Sequence, residues 1–205
     1  FSTRSNYTKL AFMGDQVEQI LKEKILSAVE SPLPELTRRD VALPRISNKA
    51  IAVIGMRRAG KTSFLHQCRR DLIAQGRNLR NLVYFNFEDE RLGGLLAADL
   101  HKVVDVHARL FPPSAEEKVV FFFDEIQLVS GWEQFCRRLL DSGTHEIFVS
   151  GSSAKLLSRE IATAMRGRAW EILIQPFGFG EFLRHHGHVV PEDAGRLVAR
   201  ERAFF

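Results

Sequence analysis

The 205-residue chain is 45% hydrophobic and 26% charged, which supplies one sizeable core, too little for two large domains, and excludes a fully disordered chain. Its formal net charge of +4 is a moderate basic excess, compatible with a polyanionic partner but equally with phosphate binding by a few arginines. No apolar run approaches the ~20 residues of a membrane span and no signal-peptide pattern opens the chain. A membrane role is therefore not expected.

Residues 1–11 are polar and without period, and are expected to form an irregular lead-in. From Asp15 to Val29, Val17, Ile20, Leu21, Ile25 and Val29 recur at helical spacing. Pro32, Pro34 and Pro44 then predict an extended connector, made polar by Arg38, Arg39 and Asp40. A short apolar run, Ala50–Ile54, reads as a buried strand; a Gly-containing loop follows, then a helical pattern over Thr62–Gln75. Strands are expected at Leu82–Phe87, Val119–Phe123, Ile147–Val149 and Trp170–Ile174. Helices are expected at Leu95–Phe111, Trp132–Leu140, Ala154–Met165, Phe179–His186 and Glu192–Phe205. Strands apolar on both faces that alternate with helices predict an α/β fold with a parallel sheet covered on both sides. Cys68 and Cys136 fall in helical patterns as small core residues, not as a disulfide or metal pair, and this favours a reducing, cytoplasmic setting. The ends at Phe1 and Phe205 read as cuts in a longer protein.

The loop Gly55-Met56-Arg57-Arg58-Ala59-Gly60-Lys61-Thr62 fits G-x-x-x-x-G-K-[ST] in full, between a predicted strand and a predicted helix. Gly55 and Gly60 allow backbone angles and close approach that a side chain blocks. Successive N–H groups from Gly55 through Met56, Arg57, Arg58, Ala59 and Gly60 to Ser63 then form a nest for phosphates at a helix N-terminus. Lys61 is expected to reach the β- and γ-phosphates, and the Thr62 hydroxyl to ligate magnesium. Arg57 and Arg58 either meet phosphate or project outward.

Five apolar residues, Val119–Phe123, end in Asp124-Glu125. At the carboxyl end of a parallel strand Asp124 comes out beside the loop, where it can hold magnesium, and Glu125 can act as general base toward an attacking water. Ser152, then Ser150 and Ser153, are candidates for touching the γ-phosphate or orienting the water, against the alternative of capping the next helix. Arg166 or Arg168 is a candidate finger for transition-state charge, in its own subunit or a neighbour's, against the alternative of a basic surface turn. His185, His186 and His188 read as a solvated helix end.

With these motifs goes a family resemblance. The runs Ala52–Thr62, Phe122–Gln127, Ser150–Leu157, Arg166–Arg168 and Pro176–Phe182 occur in this order, and together they resemble the prokaryotic AAA-type (AAA-plus) P-loop ATPases, commonly described as ATP-binding proteins or predicted ATPases. The resemblance implies a three-layer αβα P-loop NTPase fold with sheet order 5-1-4-3-2, ATP as ligand, and a helical lid and C-terminal domain beyond the core. It leads to three expected parts: residues 1–48 as helix and connector, 49–183 as ATPase core, and 184–205 as the start of a lid.

The leading expectation is ATP binding and Mg2+-dependent hydrolysis coupled to conformational change. Glu125 and Lys61 are its catalytic groups, with Ser152, Arg166 and Arg168 in support. The alternative is a slow or non-hydrolytic ATP switch that binds a protein or DNA partner; self-assembly as a homo-oligomer is compatible with both. A small-molecule phosphotransferase ranks lower, because no acceptor site stands out.

Overall fold

A computed structural model describes residues 2–44, 46–112, 117–152, 165 and 167–188, with only the backbone of residues 2–15 and of Ser152. Helix α1 runs over Ser2–Glu30, so residues 2–11 of the stretch expected to be an irregular lead-in are instead helical. No Gly or Pro precedes Gly14, and once the amphipathic part is nucleated each further residue adds a hydrogen bond. Leu21 and Ile25 of α1 are fully buried. Pro32 and Pro34 end the helix, and the connector runs on without regular structure.

Among the described residues there are five strands, β1 (Ala50–Gly55), β2 (Leu82–Asn86), β3 (Val119–Asp124), β4 (His145–Ser152) and β5 (Ala169–Leu173). All pair in parallel, in the order β2-β3-β4-β1-β5. This is the order that the resemblance implied, read from the other edge. Strand β4 is longer than the expected Ile147–Val149. It pairs with β3 from His145 (opposite Val119) and with β1 to Ser152 (opposite Gly55), so its neighbours impose strand geometry on residues of poor strand propensity.

Among the described residues the helices after α1 are α2 (Lys61–Ala74), α3 (Leu100–Leu110), α4 (Trp132–Asp141) and α5 (Phe179–His185). Helix α3 starts later than its apolar pattern predicts. The Asp99 carboxylate accepts from the Leu96 N–H at 3.2 Å, and residues 97–99 tighten into a 3-10 turn. The helices expected at Ala154–Met165 and Glu192–Phe205 lie outside the described residues, apart from Met165 itself.

Side chains of successive strand residues point to opposite faces, and β3 feeds both layers. Phe121 and Phe123 pack with α1, α3 and α4 on one side, while Val120 and Phe122 pack with Phe64, Leu65 and Cys68 of α2 on the other. Cys68 and Cys136 are both buried and free. The resulting three-layer sandwich puts the ends of β1, β3 and β4, namely Gly55, Asp124 and Ser152, on one edge of the sheet. Among the described residues no helix is long and apolar enough to cross a membrane.

Candidate functional site

Between β1 and α2 the chain turns tightly enough for Ala59 N–H to reach the Met56 carbonyl at 3.2 Å. A Cβ on Gly55 would lie 2.2 Å from the Ile174 carbonyl oxygen, a contact no side chain tolerates. Gly60 has φ +96°, and a Cβ there would sit 2.8 Å from a guanidinium nitrogen of Arg39. Helix α2 opens at Lys61 with no side-chain cap. Its first N–H groups are therefore left for another acceptor, the arrangement that suits an anion. Met56, Arg57, Arg58, Thr62 and Ser63 are exposed around this rim, whereas Ala59 and Lys61 are buried. The Lys61 ammonium curls back over the loop, donating to the Met56 carbonyl at 3.2 Å and lying 3.6 Å from Glu125 Oε1.

Beside the loop stands Asp124, with no exposed surface. Its Oδ2 accepts from the Thr62 hydroxyl and from the Tyr84 hydroxyl, each at 2.7 Å, and its Oδ1 accepts from Ser150. Strand β3 thus delivers a buried carboxylate directly to the loop's hydroxyl. Oxygen donors of this kind, one carboxylate and one hydroxyl, fit magnesium. Glu125, next along, takes a left-handed conformation (φ 54°). Its N–H donates to Ser150 Oγ at 3.1 Å, and its Oε2 accepts from Gln127. Ser150 therefore braces both acids from β4.

Two site residues were not identified from sequence. The first is Tyr84. Burial, reinforced by the neighbouring Asp124 carboxylate, pushes its phenol well above the ordinary tyrosine range, so it remains a proton donor. Nothing local marks it; only the β2–β3 register, with Asn86 opposite Asp124, brings it near. The second is Arg39, which sequence marked only as one of the residues that make the connector polar. It is 4% exposed and donates to the Ala59 carbonyl at 2.7 Å, to the Gln175 carbonyl at 2.5 Å and to Glu181 Oε1 at 3.0 Å.

The remaining candidates separate. Backbone pairing of Ser152 with Gly55 puts it at the mouth of the loop; its side chain, Ser153 and Arg166 lie outside the described atoms. Arg168 is at the opposite edge of the sheet. Its carbonyl accepts from Ala50 N–H at 2.8 Å and its guanidinium pairs with Asp141. Five steps of β1 at ~3.3 Å each put it about 16 Å from its own phosphate loop. His185 and His186 are exposed at the end of α5, as expected, with His185 bonded to Thr37 at 2.8 Å.

The His66 ring lies against Tyr84, with centroids 4.3 Å apart. Burial, and then the charge of Arg69, lower its pKa from 6.5 to about 4; His107 and His145 shift the same way, mainly through burial. Between these values the unfolded chain takes up protons that the folded chain refuses. Stability is therefore expected to be highest above pH 6.5, to fall as pH drops toward 4 and to level off below, as far as these rings govern it. Carboxylates titrate mostly below about pH 5, so a urea midpoint that stays constant from pH 7 to 5 would contradict the burial of these rings.

Residues 47–183 match a protein family described as an AAA domain. Among curated proteins the chain is similar to an uncharacterised protein of Methanocaldococcus jannaschii, MJ1544, at 40% identity over 80% of this chain and 35% of that protein. It is also similar to an uncharacterised Haemophilus influenzae protein, at 39% identity over 64% of this chain and 32% of that one. The chain thus spans about a third of the length of these relatives. Solved structures that align with it include AMPPCP-bound DnaA from Aquifex aeolicus (14% identity, 86% of this chain, 52% of that chain, TM-score 0.42). The Aeropyrum pernix ORC1 protein in complex with DNA also aligns (13% identity, 91% of this chain, 53% of that chain, TM-score 0.45).

Proposed function

Since the chain belongs to the AAA-domain family of nucleotide-binding, ATPase-type domains, we propose that it binds ATP with magnesium, hydrolyses it, and couples nucleotide state to conformational change. The observation that carries this reading is the buried Asp124 hydrogen-bonded to Thr62 of the phosphate loop, with Glu125 3.6 Å from Lys61. The loop N–H groups and Lys61 bind the phosphates, with Lys61 moving from the Met56 carbonyl onto the β- and γ-phosphate oxygens. Thr62 and Asp124 would hold magnesium, which would supply neutralisation of the phosphate charge. Glu125 accepts the proton of a water that attacks the γ-phosphorus. The bond to the β–γ bridging oxygen breaks, and ADP and phosphate leave. Tyr84 and Ser150 keep Asp124 fixed.

Assembly belongs to the same proposal. Arg168 is about 16 Å from its own loop by strand rise, so any role as a finger is played at the loop of a neighbouring copy. A cytoplasmic setting, a helical lid from residue 184 onward, and a protein or DNA partner are also parts of this reading.

Phosphate release from ATP, with magnesium and with a chelator, tests it. Turnover that depends on magnesium and is lost in Asp124→Asn is the expected result. ATP binding with no phosphate release by the concentrated protein would instead favour the non-hydrolytic switch.

A further inference from the structure

We propose that Arg39 is a positioning residue for the phosphate loop, and that through it nucleotide binding depends on the connector and α5 staying docked. This deepens the nucleotide-binding reading and rests on it. The connector reaches the loop through one buried side chain. Arg39 Nη1 donates to the Ala59 carbonyl at 2.7 Å. In a trans peptide that carbonyl and the following N–H point in opposite directions. Fixing the Ala59 oxygen therefore fixes the Gly60 N–H pointing away from the guanidinium, at the step into Lys61 and Thr62.

Arg39 is itself held from both sides. Gln67 of α2 clasps its backbone, accepting from Arg39 N–H at 2.7 Å and donating to its carbonyl at 3.2 Å. The other guanidinium nitrogens reach Gln175, just past β5, and Glu181 of α5, and the Phe177 ring lies 5.0 Å below. Glu181 in turn accepts from the Asp40 N–H at 2.8 Å and, through its other oxygen, from the Gly178 N–H at 2.8 Å. The ion pair and these N–H donors hold the Glu181 carboxyl below the usual carboxylate range, against the opposing effect of its burial. Connector, loop, α2 and α5 thus meet at one arginine, α2 at its backbone and the others at its guanidinium. Its planar fork bridges three acceptors at once, which a lysine ammonium at this site cannot reproduce.

The test compares wild type, Arg39→Lys and Glu181→Gln for binding of a fluorescent N-methylanthraniloyl ATP, well below each variant's melting temperature. Hydrogen exchange of residues 32–44 with and without the nucleotide is the second readout. Arg39→Lys is expected to weaken affinity roughly 10-fold or more, since it loses charge-assisted bonds. Glu181→Gln is expected to weaken it in the same direction by less. The nucleotide should slow connector exchange in wild type and much less in either variant. Wild-type binding with unchanged affinity in Arg39→Lys would overturn this inference alone, and if that variant does not fold, unchanged affinity in Glu181→Gln would do the same. Failure of wild type to bind would overturn the nucleotide reading as well.

Discussion

Glu125→Gln is expected to cut ATP turnover about 10²–10⁴-fold, the usual contribution of a positioned general base, while leaving nucleotide affinity within a few-fold of wild type. The amide keeps the size of the carboxylate and the backbone bond from residue 125 to Ser150 is untouched, but it cannot take a proton from water. The two effects therefore separate in one experiment: titration of a fluorescent ATP analogue alongside phosphate release. A variant that turns over at the wild-type rate would remove Glu125 from the chemistry and leave it as a partner of Lys61.

Lys61→Ala is expected to weaken ATP binding roughly 10²–10⁴-fold, from the loss of about two charge-assisted hydrogen bonds to phosphate at ~1.5–3 kcal/mol each. Among the described residues the Lys61 ammonium donates to the Met56 carbonyl and lies 3.6 Å from Glu125. Neither contact joins it to the two apolar layers, so the melting temperature should move far less than the affinity. Isothermal titration with Mg-ATP, beside a thermal melt of the same samples, reads both. Wild-type affinity in the variant would mean that the loop does not receive phosphate.

The Lys61 and Glu125 outcomes are linked by geometry. With the ammonium 3.6 Å from the carboxylate, the two would be released together when phosphate draws Lys61 away. Binding would then prepare the base, and the defects should differ in kind: Lys61→Ala in affinity, Glu125→Gln in turnover.

What the sequence by itself determined were the features that depend on neighbours along the chain. The phosphate loop is contiguous, and its glycines, lysine and threonine declare themselves by spacing. The strands are continuous apolar runs, and an acidic pair at the end of such a run in a parallel sheet can emerge on only one edge; hence Asp124 meets Thr62 as expected. Strand–helix alternation gave the layered architecture, and the family resemblance supplied the strand order now seen.

What only the tertiary structure decided were features set by partners distant in sequence. Tyr84 donates its hydroxyl to Asp124 because β2 pairs with β3 in one register; a slip of one residue would turn its side chain to the other face. Ser150 braces the two acids because β4 lies beside β3. Arg168 stands apart from its own loop because β1 and β5 run parallel, which puts the start of β5 at the far edge. Arg39 offered only a charge between prolines. Its burial follows from acceptors at Ala59, Gln175 and Glu181, up to 142 residues away, that converge only once the sheet has formed. A guanidinium leaves water when enough acceptors surround it, and that condition belongs to the fold rather than to any stretch of sequence.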